Sequence, residues 1–220
     1  MIWIVVPAYN EEKNIVQTIS GLLSYGYQSI VVVDDGSSDN TARLAKQAGA
    51  EVISHEINRG QGAALQTGHE YVLLRGAQII VDFDADGQFD PKDIASAVDK
   101  LQKENFDVVL GSRFLTVSSQ IPFTKKYFIL PLARIINRLF TGVKLTDAHN
   151  GFRVFSRSAL EKIQITQDKM AHNTEIITQI KKNKLCFAEV PVQVKYLAYG
   201  QSWRGGLEII KDLIVNFFIK

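Results

Sequence analysis

Apolar and polar positions change period along this chain in a regular way. Short runs rich in β-branched residues at 2–6, 30–33, 51–54, 78–81 and 107–110 alternate with segments at 11–23, 40–48, 62–74 and 91–103, whose apolar residues recur at helical spacing. The strands are near-continuous apolar runs, which suits strands covered on both faces. The alternation therefore predicts an α/β fold with a mostly parallel central sheet and helices on both sides. Ligands of such sheets gather at the carboxyl ends of the strands, and four polar loops fall there: 7–12, 34–39, 58–62 and 84–90. Beyond residue 110 the alternation stops. Residues 122–143 place Phe128, Leu132, Ile135, Ile136, Leu139 and Phe140 on one helical face, edged by Lys125, Lys126, Arg134 and Arg138. A polar turn at 147–153 precedes a short strand at 154–155, and a helix at 171–181 carries Glu175. Residues 185–196, broken by Pro191, read as extended, and 207–218 is again amphipathic. The expectation is one domain over residues 1–206, followed by an amphipathic C-terminal helix at 207–220.

Composition narrows the function classes. With 220 residues, 46% of them hydrophobic, the chain can bury one large core. A net charge of +2, with basic residues spread out except between Arg113 and Lys144, does not describe a nucleic-acid binder. One cysteine excludes an internal disulfide, and four histidines without cysteine partners argue against zinc, which fits a cytoplasmic protein. Met1 leads directly into a strand, and no apolar segment is long enough to span a bilayer, so membrane contact is expected to be peripheral. The two amphipathic segments at 122–140 and 207–218 supply candidate faces for it, against the alternative of core helices with solvated basic edges.

The loop after the fourth strand reads Asp84-Ala85-Asp86-Gly87-Gln88. If the backbone stays extended, Asp84, Asp86 and Gln88 share one side and present three hard oxygen ligands, a set suited to Mg²⁺ or Mn²⁺ holding a diphosphate. The alternative is an acidic turn in which Asp90 caps the helix opened by Pro91. Tyr9, after the first strand, offers a flat ring for a nucleobase, unless Asn10 merely caps a helix that begins with Glu11. Asp35 can pair a base or ribose while Asp39 caps its own helix. Asn58-Arg59-Gly60-Gln61-Gly62 opens a helix with glycines that would let a phosphate approach backbone N–H groups, though it matches neither the dinucleotide fingerprint nor the P-loop.

Seven motifs, in order, resemble the inverting glycosyltransferases of family 2, and within them the dolichol-phosphate mannose synthase-like enzymes. They are Val-Pro-Ala-Tyr-Asn-Glu-Glu from Val6, Val-Asp-Asp-Gly-Ser-Ser-Asp from Val33, Asn-Arg-Gly-Gln-Gly from Asn58, Asp-Ala-Asp-Gly-Gln from Asp84, Gly-Ser-Arg-Phe from Gly111, Gly-Phe-Arg from Gly151 and Tyr-Gly-Gln-Ser-Trp-Arg-Gly-Gly from Tyr199. The resemblance implies a GT-A fold and a metal-dependent enzyme that moves a sugar from a nucleoside diphosphate sugar to a polyprenyl phosphate at the cytoplasmic membrane face. In some members a separate membrane subunit takes part. It implies that Pro7, Tyr9 and Glu11 contact the nucleotide, Asp35 the base, and Asp84, Asp86 and Gln88 the metal, while Arg113 meets the acceptor phosphate. Phe89 stands where the mannose synthases carry His, and Trp203-Arg204 where they carry Lys, so neither mannose nor dolichol is implied.

The acceptor decides whether a base is needed. A sugar hydroxyl must lose a proton as it attacks, and Asp147 or Glu175 would take it. A lipid phosphate is already nucleophilic and needs cations, for which Arg113, Lys125 and Lys126 are the candidates, unless Arg113 is paired with a carboxylate on the same rim. Two alternatives stand beside the lipid-phosphate reading: transfer to a saccharide hydroxyl in cell-surface polysaccharide synthesis, and a non-catalytic nucleotide-sugar-binding protein.

Overall fold

A computed structural model of the chain describes residues 1–115, 142–147 and 150–194. Among the described residues, seven strands and six helices follow one another as β1 (Ile2–Ala8), α1 (Ile15–Ser24), β2 (Ile30–Asp34), α2 (Thr41–Gln47), β3 (Glu51–Ser54), α3 (Gln61–Leu74), β4 (Ile79–Asp82), α4 (Lys92–Lys103), β5 (Val108–Ser112), β6 (Arg153–Ser156), α5 (Arg157–Leu160), α6 (His172–Lys182) and β7 (Phe187–Pro191). They form one sheet in the order β3-β2-β1-β4-β6-β5-β7. All pairings are parallel except those of β6, which runs antiparallel between β4 and β5.

Period-two alternation along the strands splits the core between the two sheet faces. Ile4 and Val6 of β1 pack with Ile15, Ile19 and Leu22 of α1 and with Ile94, Ala97 and Leu101 of α4. Trp3 and Val5 face the other way, onto Leu65 and Val72 of α3 and Ile176, Ile177 and Ile180 of α6. Both faces are covered, which is why β1, β2 and β4 tolerate no polar residue before their final positions. Burying a Leu- or Ile-sized side chain stabilises by roughly 1.5–3 kcal/mol, and more than forty hydrophobic residues sit in this core.

The expected strands and helices of the first half are all present, with ends shifted by a few residues. Pro191 closes β7, and among the described residues the extended segment continues as a bridge between Val194 and Phe89. The amphipathic segment at 122–140, with Lys125 and Lys126, lies outside the described residues, as do the motif at 199–206 and the helix expected at 207–220. Among the described residues no helix is long and apolar enough to cross a membrane.

Candidate active site

The four polar loops at the carboxyl ends of β1, β2, β3 and β4 converge on one cavity of about 380 Å³. Its wall includes Pro7, Tyr9 and Glu11 from the first loop, Asp35 from the second, Gly60 and Gln61 from the third, and Asp84, Asp86 and Gln88 from the fourth. Arg113 after β5, Asn150 and Gly151, and Asn173 of α6 also line it.

The first two loops are stitched together. Asn10, held at φ +54, donates its N–H to Ser37 Oγ and accepts from the Ser38 N–H, and the Glu11 N–H reaches Thr41 Oγ1 at 2.8 Å. Asn10 therefore fastens the loops instead of capping α1, whose first turn is preceded by Asn14. Asp39 does cap its helix, accepting from the Thr41 N–H at 3.0 Å, and it also takes the Glu12 N–H. Tyr9 stays half exposed at the cavity mouth. Glu11 is pushed toward the protonated form chiefly by burial, with Asp86 and Asp39 adding to it against a hydrogen bond from Asn14.

Asp35 is anchored from below. Its Oδ1 accepts from the Arg59 N–H at 3.0 Å and faces His55 Nδ1 at 2.7 Å, and its Oδ2 accepts from the Gly60 N–H at 2.6 Å. The Gly62 N–H goes to the Asp168 carbonyl at 2.8 Å. The phosphate cradle expected at 58–62 is thus corrected: three of its N–H groups already serve protein acceptors, and the glycines answer to close packing. A Cβ on Gly60, whose φ is +111, would collide with the Asp168 carbonyl.

The acidic loop is a turn, not an extended strand end. Gly87 adopts φ +73, and the Gln88 N–H donates to Asp86 Oδ1 at 3.0 Å, folding the loop so that Asp84 and Asp86 face the same space. Asp84 accepts from Gln61 Nε2 at 3.0 Å and lies against the Cα of Gly151. Burial, and then the nearby Asp86 carboxylate, push the Asp84 carboxyl up to about 7, against the pull of Arg153 and Arg113. Asp86 is raised too, mainly by burial. Among the described residues no three His, Cys, Asp or Glu side chains converge as a ready metal site. Two destabilised carboxylates and the Gln88 amide are nevertheless a donor set that a divalent cation would relieve, with a diphosphate supplying further oxygens. Asp90 accepts the Lys92 N–H at 3.1 Å, so the helix-capping role belongs to a neighbour of this set.

Arg113 and Asp147 form a bidentate pair. Arg113 Nε and Nη2 donate to Asp147 Oδ2 and Oδ1 at 2.6 and 2.7 Å, and the Arg113 N–H adds a third bond at 3.1 Å. Burial alone would raise the Asp147 carboxyl, but the Arg113 guanidinium and the Asn150 amide outweigh it and hold it below the usual carboxylate range. Asp147 is therefore corrected as a general base: it is ionised, buried and saturated with donors. Glu175 is corrected as well. Its oxygens accept from the Thr166 and Gln167 N–H groups, each at 2.9 Å, and from the Thr166 hydroxyl, and it does not line the cavity.

Beneath the cavity floor lies a buried polar network that the sequence reading missed. His69 Nε2 meets Asp82 Oδ1 at 2.7 Å, Arg153 Nη1 stands 3.6 Å from Asp82 Oδ2, and Arg153 Nη2 donates to Asn173 Oδ1. Burial lowers the Arg153 pKa, while Asp82 and Asp84 act to raise it. Its one visible signal was Arg153, placed directly before the apolar run at 154–155.

The glycosyl transferase family 2 model matches residues 3–164. The chain belongs to this family. As a family 2 glycosyltransferase it is an enzyme, and its sheet is that of the GT-A fold. It is 35% identical to the UDP-N-acetylglucosamine–dolichyl-phosphate N-acetylglucosaminyltransferase of Methanococcus voltae, over 92% of this chain and 88% of that protein. It is 28% identical to the polyprenol monophosphomannose synthase of Mycolicibacterium smegmatis, over 94% and 82% respectively. The crystal structure of glucosyl-3-phosphoglycerate synthase from Mycobacterium tuberculosis in complex with Mg²⁺ and uridine-diphosphate shares its fold at a TM-score of 0.74 and 20% identity, covering 98% of this chain and 78% of that one.

Proposed function

We propose that this glycosyltransferase is metal-dependent and inverting, and that it moves a sugar from a nucleoside diphosphate sugar to a polyprenyl phosphate. The observation that carries this reading is the pairing of the Asp84/Asp86/Gln88 turn with Arg113 across one cavity, while neither candidate base is available to a hydroxyl. The two relatives named above act, by their names, on polyprenyl-type phosphates.

Asp84, Asp86 and Gln88 would hold Mg²⁺ or Mn²⁺, which when bound neutralises the charge that grows on the leaving diphosphate. Tyr9 and Pro7 border the nucleotide side of the cavity, with Glu11 beside them and Asp35 at the base. Inversion requires the acceptor to approach the anomeric carbon from the side opposite the diphosphate. Arg113, oriented by Asp147, presents a fixed guanidinium to an anion arriving there. Lys125 and Lys126 are proposed as further cations for that phosphate. Peripheral attachment to the cytoplasmic membrane face, through the amphipathic segments or a separate membrane subunit, belongs to the same proposal.

The test is a screen of nucleotide-sugars for turnover with Mn²⁺, with and without a polyprenyl phosphate. Product that forms only with the lipid phosphate is expected. Turnover that survives in EDTA would refute the metal assignment, and transfer to saccharides alone would refute the acceptor.

A further inference from the structure

The surroundings of Asp35 bear on which nucleotide the donor carries. Asp35 is 3% exposed, opens the turn after β2 and lines the cavity. A carboxylate offers about four acceptor positions, two on each oxygen. The Arg59 N–H and His55 Nδ1 occupy both positions of Oδ1, and the Gly60 N–H occupies one on Oδ2. Because the carboxylate can only accept, the proton between His55 and Asp35 belongs to Nδ1. His55 is itself fixed by α3, its Nε2 lying 3.0 Å from Thr67 Oγ1. The loop cannot drift from the turn easily, since the turn at Gly36 packs directly on the backbone of Ile57 and Asn58. One acceptor position, on Oδ2, remains for a base.

That count separates the bases. Guanine presents two adjacent donors, N1–H and an N2 amino hydrogen, which a carboxylate satisfies with one oxygen each. Uracil presents a single imide N–H. A half-filled Oδ2 satisfies uracil completely and leaves a guanine donor buried without a partner, the kind of mismatch that polar sites reject most strongly.

We propose that His55 is a positioning residue that sets the donor base: by filling Oδ1 of Asp35 it leaves one acceptor and selects uridine over guanosine diphosphates. This rests on the reading that the cavity holds a nucleoside diphosphate. His55 does not line the cavity and acts through Asp35.

Calorimetric binding of UDP and of GDP in Mg²⁺ buffer tests it on the intact protein. The wild type is expected to favour UDP by on the order of tenfold or more, the effect of one hydrogen bond to a charged group. His55→Leu, which fills the space but removes the donor, should shrink the UDP/GDP ratio about tenfold, with GDP binding improving in absolute terms. His55→Asn, whose amide N–H can take the place of Nδ1–H, should keep the wild-type ratio. Equal affinity of the wild type for both nucleotides, or an unchanged ratio in His55→Leu, overturns the role of His55 and leaves the glycosyltransfer reading standing. Failure of the wild type to bind either nucleotide overturns both. Should His55→Leu not fold, His55→Met, which likewise lacks an N–H for Oδ1, is expected to show the same loss of UDP preference, and an unchanged ratio there overturns the role of His55.

Discussion

Asp84 lies in van der Waals contact with the backbone of Gly151, and a methyl group at position 151 would occupy the space of its carboxylate. Gly151→Ala should therefore displace Asp84, weakening Mn²⁺ and nucleotide binding roughly tenfold or more with little change in thermal stability; calorimetric titration beside a melting curve checks it. His172 supports a different residue-scale prediction. It is 1% exposed, and burial, then Arg153, lower its pKa from 6.5 to about 4. Lys169 O accepts from its Nδ1, and Asp82 and His69 also face it. As the pH falls from about 6.5 toward 4, the unfolded chain takes up a proton that the folded chain refuses, so stability drops, by on the order of 3 kcal/mol in total. Asp84, raised to about 7, has the opposite slope in the same window, because there the folded chain holds the proton. The difference between wild type and His172→Gln in urea denaturation from pH 7 to 4 isolates the histidine, and a pH-independent difference would contradict it. At this scale the sequence reveals chemistry whose partners are near in the chain. Asp84, Asp86 and Gln88 reach the cavity because a five-residue turn brings them together. Asp147 looks like a base until Arg113, 34 residues away, occupies it, and no local pattern announces that pairing.

Glu175 of helix α6 shows how a side chain can serve the site without lining it. Glu175, in the first turn of α6, holds the 166–167 backbone, the Asp168 carbonyl of the same loop accepts the Gly62 N–H at the start of α3, and α3 begins with Gln61, which donates to Asp84. Glu175→Gln keeps one acceptor and should cost about 1 kcal/mol of stability, with turnover within a few fold of wild type. Chemical denaturation and steady-state rates read the two effects apart, and loss of turnover at unchanged stability would restore Glu175 as a catalytic group. The elements of the first half were legible because strands buried on both faces read as apolar runs and helices such as α1 and α4 carry a clear period of their own. The antiparallel insertion of β6 was not legible: a short apolar run at 154–155 carries no sign of its direction, and its place between β4 and β5 is set by the register that brings Arg153 opposite Asp82 and Leu110. The four-residue α5 was missed because one turn is too short to show periodicity.

Across the whole molecule, the central question is what the Arg113–Asp147 pair does when an acceptor arrives. The pair sits where β5 gives out, with its carboxylate buried and its guanidinium at the cavity wall. If the acceptor were a hydroxyl, a carboxylate would have to accept its proton, yet Asp147 is held ionised by a cation that a proton would have to compete with, and Glu175 faces another loop. An anionic acceptor reverses the argument: Asp147 then fixes the guanidinium in one orientation, and the phosphate meets a cation that needs no reorganisation. Arg113→Ala should lower transfer to polyprenyl phosphate roughly a hundredfold, the equivalent of about two charge-assisted hydrogen bonds, with donor affinity within a few fold. Since that variant also strands a buried carboxylate, Arg113→Lys is the companion: it keeps the charge, loses the bidentate fork, and should recover part of the loss. Asp147→Asn keeps the shape but loosens Arg113, so the lipid phosphate concentration needed for half-maximal rate should rise while the limiting rate survives. Rates measured against lipid phosphate concentration, with donor affinity by calorimetry, separate the two acceptors. If Asp147→Asn abolishes turnover and Arg113→Ala hardly changes it, the attacking group is a hydroxyl and Asp147 is its base.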